Sequence, residues 1–343
     1  MEIQIGQKLV GDNHPCFVVA EIGSNHNQDM NLALESIDAV ADSGVDAVKF
    51  QTFKASEHYS KNTPGFSYLD NTNTSDLIRS LELNREWQKE LKEHAEKKNI
   101  IFFSSPCDSD AINSLAKLDV PVYKIASFDL TDDSLISKIS DVGKPLILST
   151  GLANLNDIQF AVDTARSQGN NDLILLQCTS LYPAPAYLSN LKAMQTMRLA
   201  FNTLVGYSDH TLGDHIAIAA LTLGACLIEK HFTLDRNLPG PDHPFAIEPT
   251  ELENMMIKLR DVESSLGDGE KNGPRNEESE MAEKGRRSIH AKMNISKGKV
   301  ISDDMLCIKR PGLGILPFMK KIIIGRKARI DISKDKWITW DMI

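Results

Sequence analysis

Eight short apolar, β-branched runs recur along the chain, and each ends in polar or ionisable residues. They are CFVVAEIG (16–23), DAVKFQT (46–52), IIFFSS (100–105), VYKIAS (122–127), PLILST (145–150), LILLQCT (173–179), LVGYSD (204–209) and CLIEKHF (226–232). Helix patterns lie between them. In MNLALESIDAVADSG the apolar Met30, Leu34, Ile37 and Ala41 follow helical spacing, and Gly44 offers a C-terminal cap. In LNREWQKELKEHAEKKN, Asn84 is a capping candidate and lysines gather at the end, where the helix dipole favours cations. Strand and helix alternate to about Leu266, which requires a parallel sheet with crossover helices. A doubly wound open sheet is the rival, but no glycine-rich dinucleotide fingerprint follows the first run. Eight units favour a (β/α)8 TIM barrel, whose chemistry sits where the strands end.

Those ends carry Glu21, Lys49, Gln51, Ser105, Lys124, Ser127, Ser149, Tyr207, Asp209, His210, Glu229 and His231. Core-only strands would not need them, because burying unpaired charge is costly. His210 and His231 end the seventh and eighth runs. Neighbouring barrel strands lie about 4.8 Å apart, so two imidazoles at matched heights can share one divalent metal. Lys49 and Lys124 suit a phosphate or carboxylate clamp, with Ser105, Ser127, Ser149 and Ser208 as hydroxyl donors. The plainer alternative is a lysine paired with an acid inside the barrel. Glu21 is a candidate general base, and Asn25 and His26 follow it as supporting residues. The loop NLPGPDHPFAIEP places Asp242 and His243 within reach of a polyhydroxyl substrate. The long polar stretch Ala55–Asp76 is expected to overhang the mouth.

With 343 residues there is room for a large domain and a small one. Residues 1–266 form the barrel, 267–285 read as a charged linker, and 286–343 form a small β domain. In the tail, ISKGKVISDDM (295–305) nearly repeats ISKDKWITWDM (332–342), each expected as two short strands around a turn. About sixty residues make a marginal domain alone, so it should lean on another surface. Its KRPGLG loop presents Arg310, suited to planar amide or carboxylate recognition. The net charge of −9 argues against a nucleic-acid partner. No run approaches the roughly twenty apolar residues of a membrane span. MEIQIGQKLVGDNHP lacks a signal peptide's apolar stretch, and the five cysteines form no CxxC pair. Reduced thiols and a cytoplasmic location are expected.

The ordered set EIGSNHN, VKFQT, YKIAS, LSTG, CTSLYPAP, GYSDHT, IEKHFTLD, GPDH and KRPG resembles the sialic acid synthase family over almost the whole chain. That resemblance implies a TIM barrel followed by an antifreeze-like β-clip (SAF) domain. It implies condensation of phosphoenolpyruvate with an N-acylated hexose, releasing phosphate and forming a carbon–carbon bond. It assigns a divalent metal, Mn²⁺ typically and Mg²⁺ or Co²⁺ possible, to His210 and His231. Phosphoenolpyruvate falls to Lys49, Ser105, Lys124, Ser127, Ser149, Ser180 and Ser208. Glu21 acts at the metal-bound water and reacting aldehyde, and Lys49 and Lys124 join it as catalytic residues. Gln51, Tyr182 and Asp242 take the sugar. The family dimer is domain-swapped, so Arg310 of the partner subunit reaches the N-acyl group.

Departures from the pattern bear on the sugar. ASFD (126–129) stands where N-acetylneuraminate-forming members carry GSGE and resembles the pseudaminate-forming branch. PGPDH and the AMQ…GYSDHT stretch resemble the legionaminate-forming branch, and Ser180 stands where asparagine is common. Spore-coat polysaccharide members share the ASF-like and PDHPFA-like features. The class implied is a bacterial surface-glycan precursor, with legionaminate or N-acetylneuraminate as product. A metal- or lysine-dependent pyruvate aldolase would share the barrel, and a non-catalytic glycan-binding module would share the tail. The aldolase would share the metal and the lysines as well, and phosphate release would discriminate it; the binding module would not need both the histidine pair and the lysine clamp.

Overall fold

The computed structural model describes residues 1–60, 62–64 and 74–343. Two compact units result, Met1–Gly267 and Asp268–Ile343. The first opens with a hairpin, β1 (Glu2–Ile5) against β2 (Lys8–Gly11). Eight parallel strands follow: β3 (Phe17–Gly23), β4 (Ala47–Thr52), β5 (Ile101–Pro106), β6 (Tyr123–Ile125), β7 (Leu146–Ser149), β8 (Leu173–Cys178), β9 (Leu204–Asp209) and β10 (Leu227–His231). Each expected run coincides with one strand, with ends that agree to within two residues. The ladder runs without a break from β5 through β4, β3, β10, β9, β8 and β7 to β6. β5 and β6 lie side by side without a ladder pairing and close the ring.

The two-residue side-chain period of a strand splits these runs between two faces. Outward residues such as Val18, Ala20, Val48, Phe50, Leu148 and Ile228 pack against the helices. Inward ones fill the lower barrel: Phe17, Val19, Ala47, Phe103, Val122, Ile147, Ile174, Leu204 and Leu227. The same inward columns continue upward as Glu21, Lys49, Gln51, Ser105, Lys124, Ser149, Cys178, Ser208, Glu229 and His231. The barrel is thus apolar below and polar above. Ile3, Ile5 and Val10 of the hairpin join the lower core and cover its base. Sequence reading assigned no element there, because four-residue strands carry too little periodicity. At Gly206 a Cβ would sit 2.3 Å from the Leu227 carbonyl oxygen, so this strand position takes only glycine.

The helix Met30–Asp42 is capped by Asp29, whose side chain accepts from the amides of Asn31 and Leu32, and Gly44 beyond its end has φ +77°. Asn84 caps a 3₁₀ turn, Arg85–Trp87, that leads into the helix Gln88–Lys97. The long polar stretch opens with the helix Ala55–His58 and ends inside the helix Thr74–Ser80, while residue 61 and residues 65–73 lie outside the described residues. Among the described residues no helix is long and apolar enough to cross a membrane. All five cysteines are free thiols.

In the second unit, the stretch read as a linker contains a 3₁₀ turn, Asn276–Glu278, and a helix, Ser279–Gly285. The ladder strands are β11 (Ser288–Ala291) and β12 (Leu306–Lys309). The near-repeat does not form the four expected strands. It makes isolated bridges instead, because few residues pair before each chain turns away. The repeat is nevertheless real in three dimensions, at an offset of 37 positions (295 to 332). Ile295 and Ile332 exchange both backbone hydrogen bonds at 2.8 Å. Gly298 donates to Ala328 and its counterpart Asp335 to Ala291; Ile301 donates to Arg326 and Ile338 to Ile289. Both turns take a left-handed residue, Gly298 and Asp335. One buried apolar cluster, including Ile295, Ile301, Ile332 and Ile338, sits about this approximate twofold.

Candidate active site

Register places the polar ends of the inward columns at one height. Glu21 pairs across the ladder with Lys49 on one side and His231 on the other. Gln51 pairs with Ser105, and Glu229 with Ser208. Lys49 Nζ lies 2.9 Å from Glu21 Oε2 and 3.4 Å from Glu229 Oε1, and donates to Ser105 Oγ at 3.4 Å. Gln51 Nε2 donates to Glu21 Oε1 at 2.6 Å, and Ser208 Oγ to Glu229 Oε1 at 3.3 Å. Lys124 is different. Its ammonium donates to the Ile125 carbonyl at 3.1 Å, and Glu229 Oε1 stands 3.9 Å away. All four ionisable groups are buried.

The electrostatics follow from that geometry. Burial opposes the charged form of Lys49, but Glu21 and Glu229 outweigh it and raise its pKa. Burial lowers the pKa of Lys124, and Glu229 counters this only in part. Burial raises Glu21 despite Lys49 and Gln51, whereas at Glu229 the two lysines overcome burial and lower its pKa. Lys124 is therefore a buried cation short of negative charge.

Beside Lys124, the hydroxyls of Ser149 and Ser180 are buried without a hydrogen-bond partner among the described residues. The Gly151 amide donates to Ser127 Oγ at 3.0 Å. A Cβ on Gly151 would meet Ser180 Oγ at 2.4 Å and Ser127 Oγ at 2.8 Å, so only glycine lets these hydroxyls converge.

Across the mouth, the rings of His210 and His231 lie 5.3 Å apart, with the Tyr182 ring tilted at 36° and 4.3 Å from His210. The Thr179 carbonyl accepts from His210 Nδ1 at 2.8 Å, which leaves Nε2 as the nitrogen with an available lone pair. His231 Nδ1 is buried without a hydrogen-bond partner, and Asp242 Oδ2 stands 3.7 Å from it. Burial, then the positive charge of His210 and the lysines, holds His231 well below its usual pKa and keeps it neutral. Burial, then Glu21, pushes Asp242 up to about 6. Two imidazole nitrogens and an adjacent carboxyl are donor types that fit a divalent cation.

One cavity of about 190 Å³ is lined by Glu21, Lys49, Gln51, Ser105, Lys124, Ser127, Ser149, Tyr182, Ser208, His210, His231 and Asp242. Ser180 stands just behind that lining, beside Gly151. Arg310 belongs to the second unit, where it is exposed and its Nε donates to the Gly285 carbonyl at 2.6 Å.

Some strand-end residues lie elsewhere. Asp209 and Lys230 point outward and pair with each other at 2.7 Å beneath the helices. His243 is buried against Thr233 Oγ1 at 2.7 Å and Asn27 Oδ1 at 3.1 Å, so it does not face the cavity with Asp242. Asn25 donates to the Phe232 carbonyl at 2.9 Å and pins the first loop. Glu229 is the residue sequence reading undervalued. It sits two residues before His231, so strand parity alone would have placed both on the inner face. His58 and Tyr59 also line the cavity, so the described part of the long stretch does reach the mouth, and Leu77, Ile78 and Leu81 just beyond the stretch line it too.

His26 is buried against Phe50 and its Nε2 has no partner among the described residues. Burial lowers its pKa from 6.5 to about 4. The unfolded chain therefore binds the extra proton between those values, and stability is lost as pH falls from 6.5 towards 4. The expected loss is about 3 kcal/mol, at about 1.4 kcal/mol per pH unit. Comparing urea midpoints of the parent and His26→Asn from pH 7 to 4 checks this. Parallel curves would refute it.

Residues 36–271 match the NeuB family and residues 286–343 match the SAF domain. The chain is 41% identical to the N,N'-diacetyllegionaminic acid synthase of Campylobacter jejuni, across 94% of this chain and 98% of that protein. It is 40% identical to the enzyme of the same name from Legionella pneumophila, across 98% and 97%. Among solved structures, the N-acetylneuraminic acid (sialic acid) synthetase of Leptospira borgpetersenii, determined with citrate, superposes with a TM-score of 0.74. It is 36% identical and covers 82% of this chain and 94% of that one. The chain thus belongs to the NeuB family of nonulosonic (sialic-type) acid synthases, with a SAF domain at its C-terminal end.

Proposed function

We propose that the protein condenses phosphoenolpyruvate with an N-acylated hexose and releases inorganic phosphate. The observation that carries this reading is Lys124. It is a buried cation short of negative charge, next to two unpartnered hydroxyls. A dianionic or trianionic substrate supplies what that pocket lacks. Lys124, Ser127, Ser149, Ser180 and Ser208 bind its charged groups. Lys49, fixed between Glu21 and Glu229, orients the enol carbon towards the histidines, and Ser105 supports it. Gln51, Tyr182 and Asp242 hold the open-chain sugar, and Arg310 of the partner subunit takes its N-acyl group in a domain-swapped homodimer.

His210 and His231 would hold a divalent cation, Mn²⁺ in preference to Mg²⁺ or Co²⁺, which when bound acts as a Lewis acid on the sugar aldehyde. The enol carbon forms a bond to the aldehyde carbon. Water adds to the phosphate-bearing carbon, giving up a proton to Glu21, and the tetrahedral adduct expels phosphate. The raised pKa of Glu21 makes it a stronger base than an ordinary carboxylate, and it passes that proton to the former aldehyde oxygen. Identities of 41% and 40% to two legionaminic acid synthases support a 2,4-diacetamido-6-deoxymannose as the sugar.

Phosphate release is measured with Mn²⁺ and phosphoenolpyruvate across that sugar, N-acetylmannosamine and a 2,4-diacetamido-6-deoxyaltrose. Release with the first sugar, abolished by chelator, is expected. No release with any of the three from folded protein would overturn the reading.

A further inference from the structure

A second group of metal-type donors lies on the opposite side of the mouth from the histidine pair. Among the described residues, His58, Cys107 and Asp129 bring one ligand atom each to within 4.8 Å of one another. They come from three neighbouring strand ends. His58 closes the short helix after β4, Cys107 directly follows β5, and Asp129 lies in the 3₁₀ turn after β6. All three are half-buried and line the same cavity. Cys107 Sγ stands 3.9 Å from Asp129 Oδ2. The His58 ring is seated between Phe53 and Tyr59, with centroids 6.1 and 5.0 Å away, which limits its rotation.

We propose that His58, Cys107 and Asp129 form a separate binding site for a thiophilic divalent cation of the Zn²⁺ class. Imidazole, thiolate and carboxylate make a three-ligand set of the kind zinc accepts, leaving a fourth position open to the cavity. Bonds of about 2.0–2.3 Å in a tetrahedron put ligand atoms about 3.5 Å apart. The spacing here is somewhat wider, 3.9 Å between Cys107 and Asp129 and at most 4.8 Å within the trio, within the reach of small side-chain rotations. Burial raises the pKa of both the Cys107 thiol and the Asp129 carboxyl, so a cation seated between them would favour their charged forms. Binding would replace protons with the metal, as thiolate sites require. The donor set also sorts cations. A thiolate favours Zn²⁺ or Co²⁺ over Mn²⁺ and Mg²⁺, whereas the two histidines offer no sulfur. This inference goes beyond the synthase reading and does not depend on it.

The probe is Co²⁺ added to the full-length, metal-stripped protein, read as the near-ultraviolet sulfur-to-cobalt charge-transfer band. Cobalt bound at His210 and His231 alone gives no such band. The expected result is a saturable band that Zn²⁺ bleaches and Mn²⁺ leaves in place. It should vanish in Cys107→Ser, persist in Cys178→Ser, and need at least tenfold more cobalt in His58→Asn and Asp129→Asn. The latter two variants carry the test if Cys107→Ser melts early. No band in the parent protein, a band surviving Cys107→Ser, or a band lost only in Cys178→Ser would overturn the proposal. The first of these outcomes would leave the trio as a hydrogen-bonded cluster, and the last would move the thiolate to the neighbour of His210.

Discussion

Replacing His231 with alanine is expected to lower Mn²⁺-dependent phosphate release by about a thousandfold. A Lewis acid on a carbonyl oxygen contributes several kcal/mol to the barrier, and about 4 kcal/mol is about a thousandfold. His231 is placed for that role by its unpartnered Nδ1, its neutral ring and its 5.3 Å separation from His210. The variant should still fold. The ring is uncharged, and its truncation leaves no buried charge unpaired, although contacts with Tyr182 and Phe245 are lost. His231→Asn retains part of that packing and should lose activity equally. Steady-state phosphate release with and without chelator, beside a thermal melt, is the measurement. Turnover within tenfold of the parent, still sensitive to chelator, would remove the histidine pair from the reaction.

The two buried lysines should respond in opposite ways. Lys49→Met strands Glu21 and Glu229 in a dry interior, and breaking such a pair costs about 3–5 kcal/mol. In a unit of this size that is a fall of roughly 10 °C in melting temperature. Lys124→Met removes a cation whose partner Glu229 is also held by Lys49 and Ser208. Stability should stay within about 1 kcal/mol of the parent, since the burial cost of Lys124 disappears with it. Phosphoenolpyruvate affinity should nevertheless fall about 10–100-fold, the value of a charge-assisted hydrogen bond. Melting curves and phosphoenolpyruvate titrations of both variants decide the matter. Equal destabilisation by the two changes would make Lys124 a structural cation and leave the anion pocket without its main support.

The lysines also show what was legible in advance. Lys49 and Lys124 could be placed inside a barrel from their runs alone, because burial of charge at the end of an apolar strand needs a reason. Their different surroundings could not. Glu229 decides that difference, and it reaches Lys49 only because β10 returns to β3, and β3 lies beside β4. Asp209 looked like a site residue by position along the chain, and Lys230 sits between two residues that are. One step of strand parity turned them outward into an ion pair of their own.

By itself, the sequence determined the eight strands, the apolar and polar halves of their inward columns, and the ordered motifs of the family. These rest on local physics: a side-chain period of two residues, helix caps, and the cost of burying charge. Tertiary structure decided which strand ends meet. Glu21 and His231 are 210 positions apart in the chain (21 to 231) and ladder partners in the barrel. It also decided that the first hairpin covers the barrel base, that His243 turns away from the cavity, and that His58, Cys107 and Asp129 converge. No local pattern encodes such meetings, because they follow from ring closure and from the direction in which each loop leaves its strand.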